Sequence, residues 1–236
     1  MLADLSWVQV AERLERDRRL IIPVGACDQH GPHLPIGTST IIAEALADDL
    51  AREFDVLRAP TFAYGVNIPA PHAFPGAATL REKTLHRALN DLVADWLSEG
   101  FDEFILITAQ EYDPHVDAIA AVAVEARVRV VDALAIDLSE FLEGEDCPLH
   151  GGELETSLLL YLRPGTVSME RAQDFRLDPR PYRRAHGGRL ARIPADCPGS
   201  VGWPTLATVE KGERIYAYLR EKIREKVFLA PEPDAA

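Results

Sequence analysis

The sequence has no long apolar run and few cysteines, and each of these shortages narrows the class of protein. No stretch reaches the roughly 18–20 apolar residues of a membrane-spanning helix, so we expect no membrane partner. The 3 cysteines are odd in number and lack metal-finger spacing, which favours a reducing, cytoplasmic location. The first residues show no basic stretch followed by an apolar core, so we expect no signal peptide.

Positive charge is also scarce. The 25 Lys and Arg against 38 Asp and Glu give a net charge of -13, which argues against nucleic acid as a partner. One basic cluster stands out in residues 176–192, and its members are Arg176, Arg180, Arg183, Arg184, Arg189 and Arg192. We interpret this cluster as a solvated face or a subunit contact, or alternatively as a site for an anionic ligand or an acidic partner.

Apolar runs and helical periodicities alternate along the chain. Strands are predicted over residues 20–24, 56–62, 104–108 and 128–134. Helices are predicted over residues 5–18, 38–50, 81–97, 118–127, 153–162 and 208–226. This alternation favours an α/β protein whose mostly parallel central sheet is covered by helices on both faces. We expect a single domain over residues 1–228 and a frayed tail over residues 229–236.

A polar loop follows the first predicted strand and is the most informative segment. It contains Asp28, Gln29, His30 and His33, and a predicted helix begins at Thr38 or Ser39. Loops at the carboxyl ends of strands are where open α/β sheets bind ligands. Taken alone, the loop is equally a polar connection or a functional site.

Three later blocks accompany this loop, and they occupy residues 64–76, 150–157 and 199–212. Together with residues 23–39, they resemble, in the same order, the sequence blocks of the creatininase family. The resemblance runs over residues 20–227 and implies a three-layer α/β/α sandwich. It also implies hydrolysis of a non-peptide C–N bond in a small cyclic amide or formamide, and a homo-oligomer such as a hexamer.

The same resemblance locates the family's metal ligands in this chain, and two of them are substituted. The family's first Glu falls on Asp28, its first His on His30, its bridging Asp on Ser39 and its loop His on Gln110. Serine lacks the charge that holds two cations together, and an amide oxygen is a poor substitute for imidazole. Two ordinary donors remain where a catalytic zinc site uses about three protein ligands. We therefore expect a dismantled dinuclear site, with one divalent metal (Zn, Mn or Fe) or, as we favour, none.

A rebuilt single-metal site would need further donors. The candidates are Glu111, Asp113, His33, His72 and Glu155.

Other residues of the matched blocks are candidates for chemistry or for substrate contact. We predict acid–base roles for His150 and Glu155 together with Asp28. The predicted substrate-binding residues are His33, His72, Gln110 and Trp203. The alternatives are structural: His150 could hold the loop at a helix start, Glu155 suits a helix N-terminus, and Trp203 suits a core or an interface.

Two functions remain open at this point. The first is a hydrolase of a small cyclic amide or formamide with a rebuilt mononuclear or metal-free site. The second is an inactive family member that binds a small ligand or assembles with an active paralogue. The sequence does not name the substrate, because family members share these blocks while acting on different molecules.

Overall fold

A parallel four-stranded sheet forms the centre of the protein. The computed structural model describes residues 1–144, 150–176 and 190–229. The strands are β1 Arg19–Val24, β2 Leu57–Arg58, β3 Glu103–Thr108 and β4 Arg127–Asp132. Their order is β2-β1-β3-β4, and every neighbouring pair is parallel. The predicted α/β fold with a mostly parallel sheet is thereby confirmed.

Six α-helices are described around this sheet. They are α1 Trp7–Leu14, α2 Thr38–Phe54, α3 Glu82–Ser98, α4 Asp113–Ala120, α5 Glu153–Leu162 and α6 Val209–Ile223. A short π-helical turn, Arg224–Phe228, follows α6. No helix among the described residues is both long and apolar enough to cross a bilayer.

The two faces of the sheet bury separate apolar cores because successive strand side chains point to opposite sides. Ile21 and Ile105 pack with α2, α5 and α6 on one face. Leu20 and Phe104 pack with α3 and α4 on the other. The result is the expected three-layer arrangement, with helices above and below a buried parallel sheet.

Several predicted elements differ from the structure in their bounds, as α1 does by ending at Leu14, and two of the differences have a clear local origin. The second strand was expected over residues 56–62, but β2 is Leu57–Arg58. Ala59 N–H still bonds to Ile21, and the next bond to β1 comes from Phe62, one residue out of register, after the segment that contains Pro60. The fourth helix was expected over residues 118–127, but α4 is Asp113–Ala120. Pro114 in its first turn starts the helix early, and the chain must then turn to enter β4 at Arg127.

Part of the basic cluster and the tail lie outside the described residues. These are Arg180, Arg183, Arg184, Arg189 and residues 230–236.

The sheet register brings the loops of the matched blocks together. Val24 of β1 is opposite Thr108 of β3, so the loop that begins at Gly25 and the loop that begins at Ala109 leave the same edge of the sheet side by side. Residues from both loops, and from the start of α2, meet there.

Candidate functional site

The polar loop after β1 is buried. Asp28, His30 and His33 are each 1–2% exposed, and Ser39 in the first turn of α2 is fully buried. Buried polar groups need hydrogen-bond partners, so the contacts of this loop define the site.

The Asp28 carboxylate is hydrogen-bonded to three segments of the chain. It accepts hydrogen bonds from the backbone N–H of Gln29 (2.8 Å) and of Ile68 (3.2 Å). It also accepts one from the side-chain amide of Gln110 at 2.8 Å. The loops that follow β1, β2 and β3 are thus tied to one carboxylate.

Gln110 and Ser39 bond to each other. Ser39 Oγ donates to Gln110 Oε1 at 2.5 Å and lies 3.2 Å from His30 Nε2. Since Gln110 Nε2 donates to Asp28, both polar atoms of the Gln110 amide are in use. A chain of hydrogen bonds therefore runs from Asp28 through Gln110 and Ser39 to His30.

His30 also meets Glu155, which comes from the first turn of α5. His30 Nε2 and Glu155 Oε1 are 3.2 Å apart, and both side chains are about 1% exposed. The other oxygen of Glu155 accepts from Gly151 N–H at 2.6 Å. Gly151 has φ +60, and a Cβ there would collide with the backbone oxygen of His30, so glycine is required for this close approach.

His30 and Glu155 form a buried ion pair. Burial acts to lower the pKa of His30, but the charge and hydrogen bond of Glu155, aided by Asp28, outweigh it and the pKa is raised. For Glu155, burial acts to raise the pKa, yet His30 reverses this and the pKa is lowered. His30 Nδ1 donates to the backbone carbonyl of Asp28 at 3.1 Å, which leaves Nε2 facing Glu155.

His150 completes the cluster as a neutral imidazole. Its ring centroid is 4.4 Å from that of His30. Burial lowers the pKa of His150, and the positive charge of His30 lowers it further. His150 Nε2 lies 2.6 Å from the carbonyl oxygen of Gln29 and donates to it. One donor atom each from His30, His150 and Glu155 lie within 4.8 Å of one another.

The remaining predicted site residues are placed around this cluster or away from it. His33 Nε2 is 2.8 Å from Thr156 Oγ1, and burial lowers the pKa of His33 to about 4. His72 is exposed and packs against Phe74, with ring centroids 4.7 Å apart and ring planes tilted by 43°. Trp203 is half-buried and packs against Gly144.

Three residues that were not predicted as site residues also hold the site together, and they are Gln29, Glu153 and Lys211. Gln29 accepts from Gly31 N–H (3.0 Å) and donates to the carbonyl oxygen of Gly199 (2.9 Å). Glu153 pairs with Lys211 of α6 and accepts from Gly144 N–H at 2.8 Å. Their only signal in the sequence was a place inside the matched blocks.

An apolar cluster packs against the outer side of the site. Ile68, whose N–H bonds to Asp28, belongs to it, and so does Val201, whose backbone bridges to that of His150. The other members are Leu190, Ile193 and Cys197. Residues 190–201 therefore take part in covering the buried histidines.

Together, the fold and the site describe an α/β protein with a buried histidine–carboxylate centre at the carboxyl edge of a parallel sheet. The family model described as Creatininase: Creatinine amidohydrolase matches residues 3–227. The chain belongs to the creatininase family, which confirms the resemblance seen in the sequence.

Characterised relatives are named as hydrolases or peptidases. The chain is 30% identical to the mycofactocin precursor peptide peptidase of Mycolicibacterium smegmatis, over 84% of this chain and 79% of that protein. It is 25% identical to creatinine amidohydrolase of Pseudomonas putida, over 91% and 90% of the two chains. It is 27% identical to 3-dehydro-scyllo-inosose hydrolase of Thermotoga maritima, over 94% and 81%.

Solved structures agree with the fold. A crystal structure of creatinine amidohydrolase (creatininase) superimposes with a TM-score of 0.74 at 23% identity, covering 98% of this chain and 97% of the other. A mutant creatininase superimposes with a TM-score of 0.75 at 25% identity, covering 95% and 97%.

Proposed function

We propose that this protein hydrolyses a non-peptide C–N bond in a small cyclic amide or formamide, at a site rebuilt on His30, His150 and Glu155. The contact that carries the proposal is the 3.2 Å approach of His30 Nε2 to Glu155 Oε1 inside the protein. A buried ion pair is costly to desolvate, and such pairs with shifted pKa values concentrate at functional sites.

The proposal does not use the family's pair of metals, because the residues at those positions do not fit them. Of Asp28, His30, Ser39 and Gln110, only Asp28 is an anionic donor. Gln110 already uses its amide oxygen to accept from Ser39 and its amide nitrogen to donate to Asp28. Two divalent ions here would have to break both bonds and would lack a bridging carboxylate.

The cluster can instead activate one water molecule. A water molecule among the three side chains would face one carboxylate oxygen and two imidazole rings, which lie within 4.8 Å of one another. The proton leaves the water for the His30–Glu155 pair as the oxygen adds to the carbonyl carbon. The C–N bond then breaks as the His30–Glu155 pair passes that same proton to neutral His150, and His150 delivers it to the leaving nitrogen. Asp28 holds the His30 loop and Gln110 in position through its hydrogen bonds.

The test is a substrate panel followed by product NMR. Creatinine, cyclic ureides, N-formyl amines and short peptides are incubated with the protein, with Glu155→Gln, and with Glu12→Gln as a control on the exposed face of α1. We expect turnover of a cyclic amide or formamide that Glu155→Gln loses and Glu12→Gln keeps. Turnover of peptides alone would instead align the protein with its peptidase relatives and overturn the substrate class.

A second candidate is an inactive member that binds a small ligand or assembles with an active paralogue. The hydrogen bonds that join Asp28, Gln110 and Ser39 favour this candidate. Ser39 and Gln110 occupy two of the family's metal-ligand positions, and their polar atoms bond to each other and to Asp28, so they supply no catalytic group there. Thermal stabilisation by creatinine or a formamide without any turnover would favour this candidate over the hydrolase.

We also propose a cytoplasmic homo-oligomer, such as the hexamer that the family resemblance implies. Sedimentation velocity tests the assembly, and a monomer at micromolar concentration would contradict it.

A further inference from the structure

We propose that His30, His150 and Glu155 bind a single divalent ion of the zinc type. This inference rests on the function proposed above, because it assigns a metal to that same cluster; when bound, the ion would take the place of the His30–Glu155 pair in activating the water. The site would keep one of the family's ligand positions, His30, and replace the others with residues from the start of α5 and the loop before it. It is therefore a relocated site and not a remnant of the dinuclear one.

The donor chemistry matches a mononuclear zinc site. Two imidazoles and one carboxylate, with a fourth position left for water, form a common ligand set of catalytic zinc. With bonds of about 2.0–2.1 Å, two donors of a tetrahedral ion are about 3.3 Å apart. His30 Nε2 and Glu155 Oε1 are already 3.2 Å apart, so an ion between them requires little rearrangement.

The backbone orients all three ligands. His30 Nδ1 donates to the Asp28 carbonyl, and His150 Nε2 donates to the Gln29 carbonyl, which leaves neutral His150 a lone pair on its other nitrogen. His30 is protonated in its pair with Glu155, so binding an ion would release the proton on Nε2 and free that lone pair. Glu155 Oε2 accepts from Gly151 N–H, which leaves Oε1 uncommitted to the backbone. Outer bonds of this kind fix the tautomer and direction of metal-binding histidines.

The charge of the site also favours a cation. Glu155 and Asp28 are two buried carboxylates whose charges both act on His30. Among the described residues, neither is paired with a lysine or an arginine, in contrast to the neighbouring Glu153, which is paired with Lys211. The two carboxylates share only the single positive charge of His30, so a buried negative charge remains that a metal ion would compensate.

Metal binding can be measured without any substrate. The protein is stripped with a chelator, the chelator is removed, and Zn²⁺ is titrated by calorimetry while Co²⁺ is followed by visible absorption. We expect one equivalent of Zn²⁺ per chain, and Co²⁺ d–d bands that Zn²⁺ abolishes. X-ray absorption of the zinc form should give two imidazole ligands.

Matched variants locate the ion. Glu155→Gln and His150→Gln should weaken Zn²⁺ binding by more than the roughly 10–100-fold that loss of an outer partner costs. His115→Gln should bind like the natural protein, because His115 is a buried histidine outside the cluster. Circular dichroism of each variant checks that it is folded.

Three results would overturn the metal site. The first is the absence of Zn²⁺ binding in calorimetry, and the second is fewer than two imidazole ligands in the X-ray absorption spectrum. The third is Zn²⁺ binding that survives Glu155→Gln and His150→Gln but is lost in Gln110→Ala. None of them decides the proposed hydrolysis, which is assayed separately with chelator present. Turnover that persists in the chelator retains the hydrolase and removes its metal.

Discussion

Glu153 and Glu155 lie two residues apart in the first turn of α5 and are both about 1% exposed, yet their partners differ completely. Glu153 is paired with Lys211 and accepts backbone N–H bonds from Glu143 and Gly144. Glu155 has one backbone donor and a histidine. Equal burial and equal position on a helix therefore do not give equal roles. The carboxylate with a permanent cation ties two segments together, and the one beside histidines can exchange a proton or bind a ligand.

The largest effect expected from this comparison is on turnover. If the proposed reaction is correct, Glu155→Gln should lower kcat by about 10²–10⁴-fold, because an amide cannot accept the proton that the carboxylate takes. Steady-state kinetics on the best substrate of the panel measures this loss. A kcat within a factor of two of the natural protein would remove Glu155 from the reaction.

The second effect concerns pH and a histidine away from the cluster. His115 accepts from Val66 N–H through Nδ1, and Nε2 donates to Thr108 Oγ1. Burial lowers the pKa of His115 to about 4, against about 6.5 in the unfolded chain. Below pH 6.5 the unfolded chain takes the proton first, so stability falls as pH drops from 6.5 to 4 and this loss then levels off.

The two pKa values set the size of that loss at about 3 kcal/mol. Urea unfolding at several pH values should show a loss about 3 kcal/mol larger in the natural protein than in His115→Gln, which keeps the contributions of the other buried histidines such as His33. Parallel pH curves for the two proteins would contradict the assignment.

The third effect is a loss of stability that leaves turnover unchanged. Glu153→Gln should lower the free energy of unfolding by about 2–3 kcal/mol, because it leaves Lys211 without its buried partner. The loss is smaller than for a fully broken pair, since Lys211 keeps Glu143 and the carbonyl of Leu206. Chemical denaturation measures it. If kcat falls in this variant as far as in Glu155→Gln, the contrast between the two carboxylates is wrong.

The smallest expected effect is on stability, and it tests the hydrogen bond between Ser39 and Gln110. Ser39→Ala removes the donor to Gln110 Oε1 and leaves a buried acceptor unpaired, which costs about 1–3 kcal/mol. Ser39→Cys, which keeps a weak donor of similar size, should recover part of this stability. An unchanged unfolding midpoint in Ser39→Ala would mean that the Ser39–Gln110 bond contributes little.

The sheet and most helices followed from local patterns. The run Phe104 to Ile107 is apolar on both faces, as a parallel strand covered on both sides requires, and the structure buries it fully. The start of α4 was missed because Pro114 opens a helix while the apolar residues after Ala118 continue the same periodicity into a turn. Local pattern does not say which of two signals wins.

The sequence predicted residues of the site but not how they are arranged, and the reason is physical. The matched blocks gave His30, His150 and Glu155 as separate candidates. In the fold these side chains meet because Gly151 allows the start of α5 to approach the loop after β1. The residues in contact are more than a hundred positions apart in the sequence, so no local pattern predicts the contact. In the same way, Ser39 and Gln110 seemed two separate losses in the sequence, whereas they are hydrogen-bonded to each other in the fold.

The covering of the histidines has a kinetic consequence. Since the cluster is almost fully buried, a substrate enters only when a surrounding segment moves aside. Gln29 is bonded to Gly31 and Gly199 through its side chain and to the ring of His150 through its backbone carbonyl, so the loops that carry these residues separate only by breaking hydrogen bonds of this one residue. If the proposed hydrolysis is correct, the frequency of that opening is an upper limit on the rate of turnover.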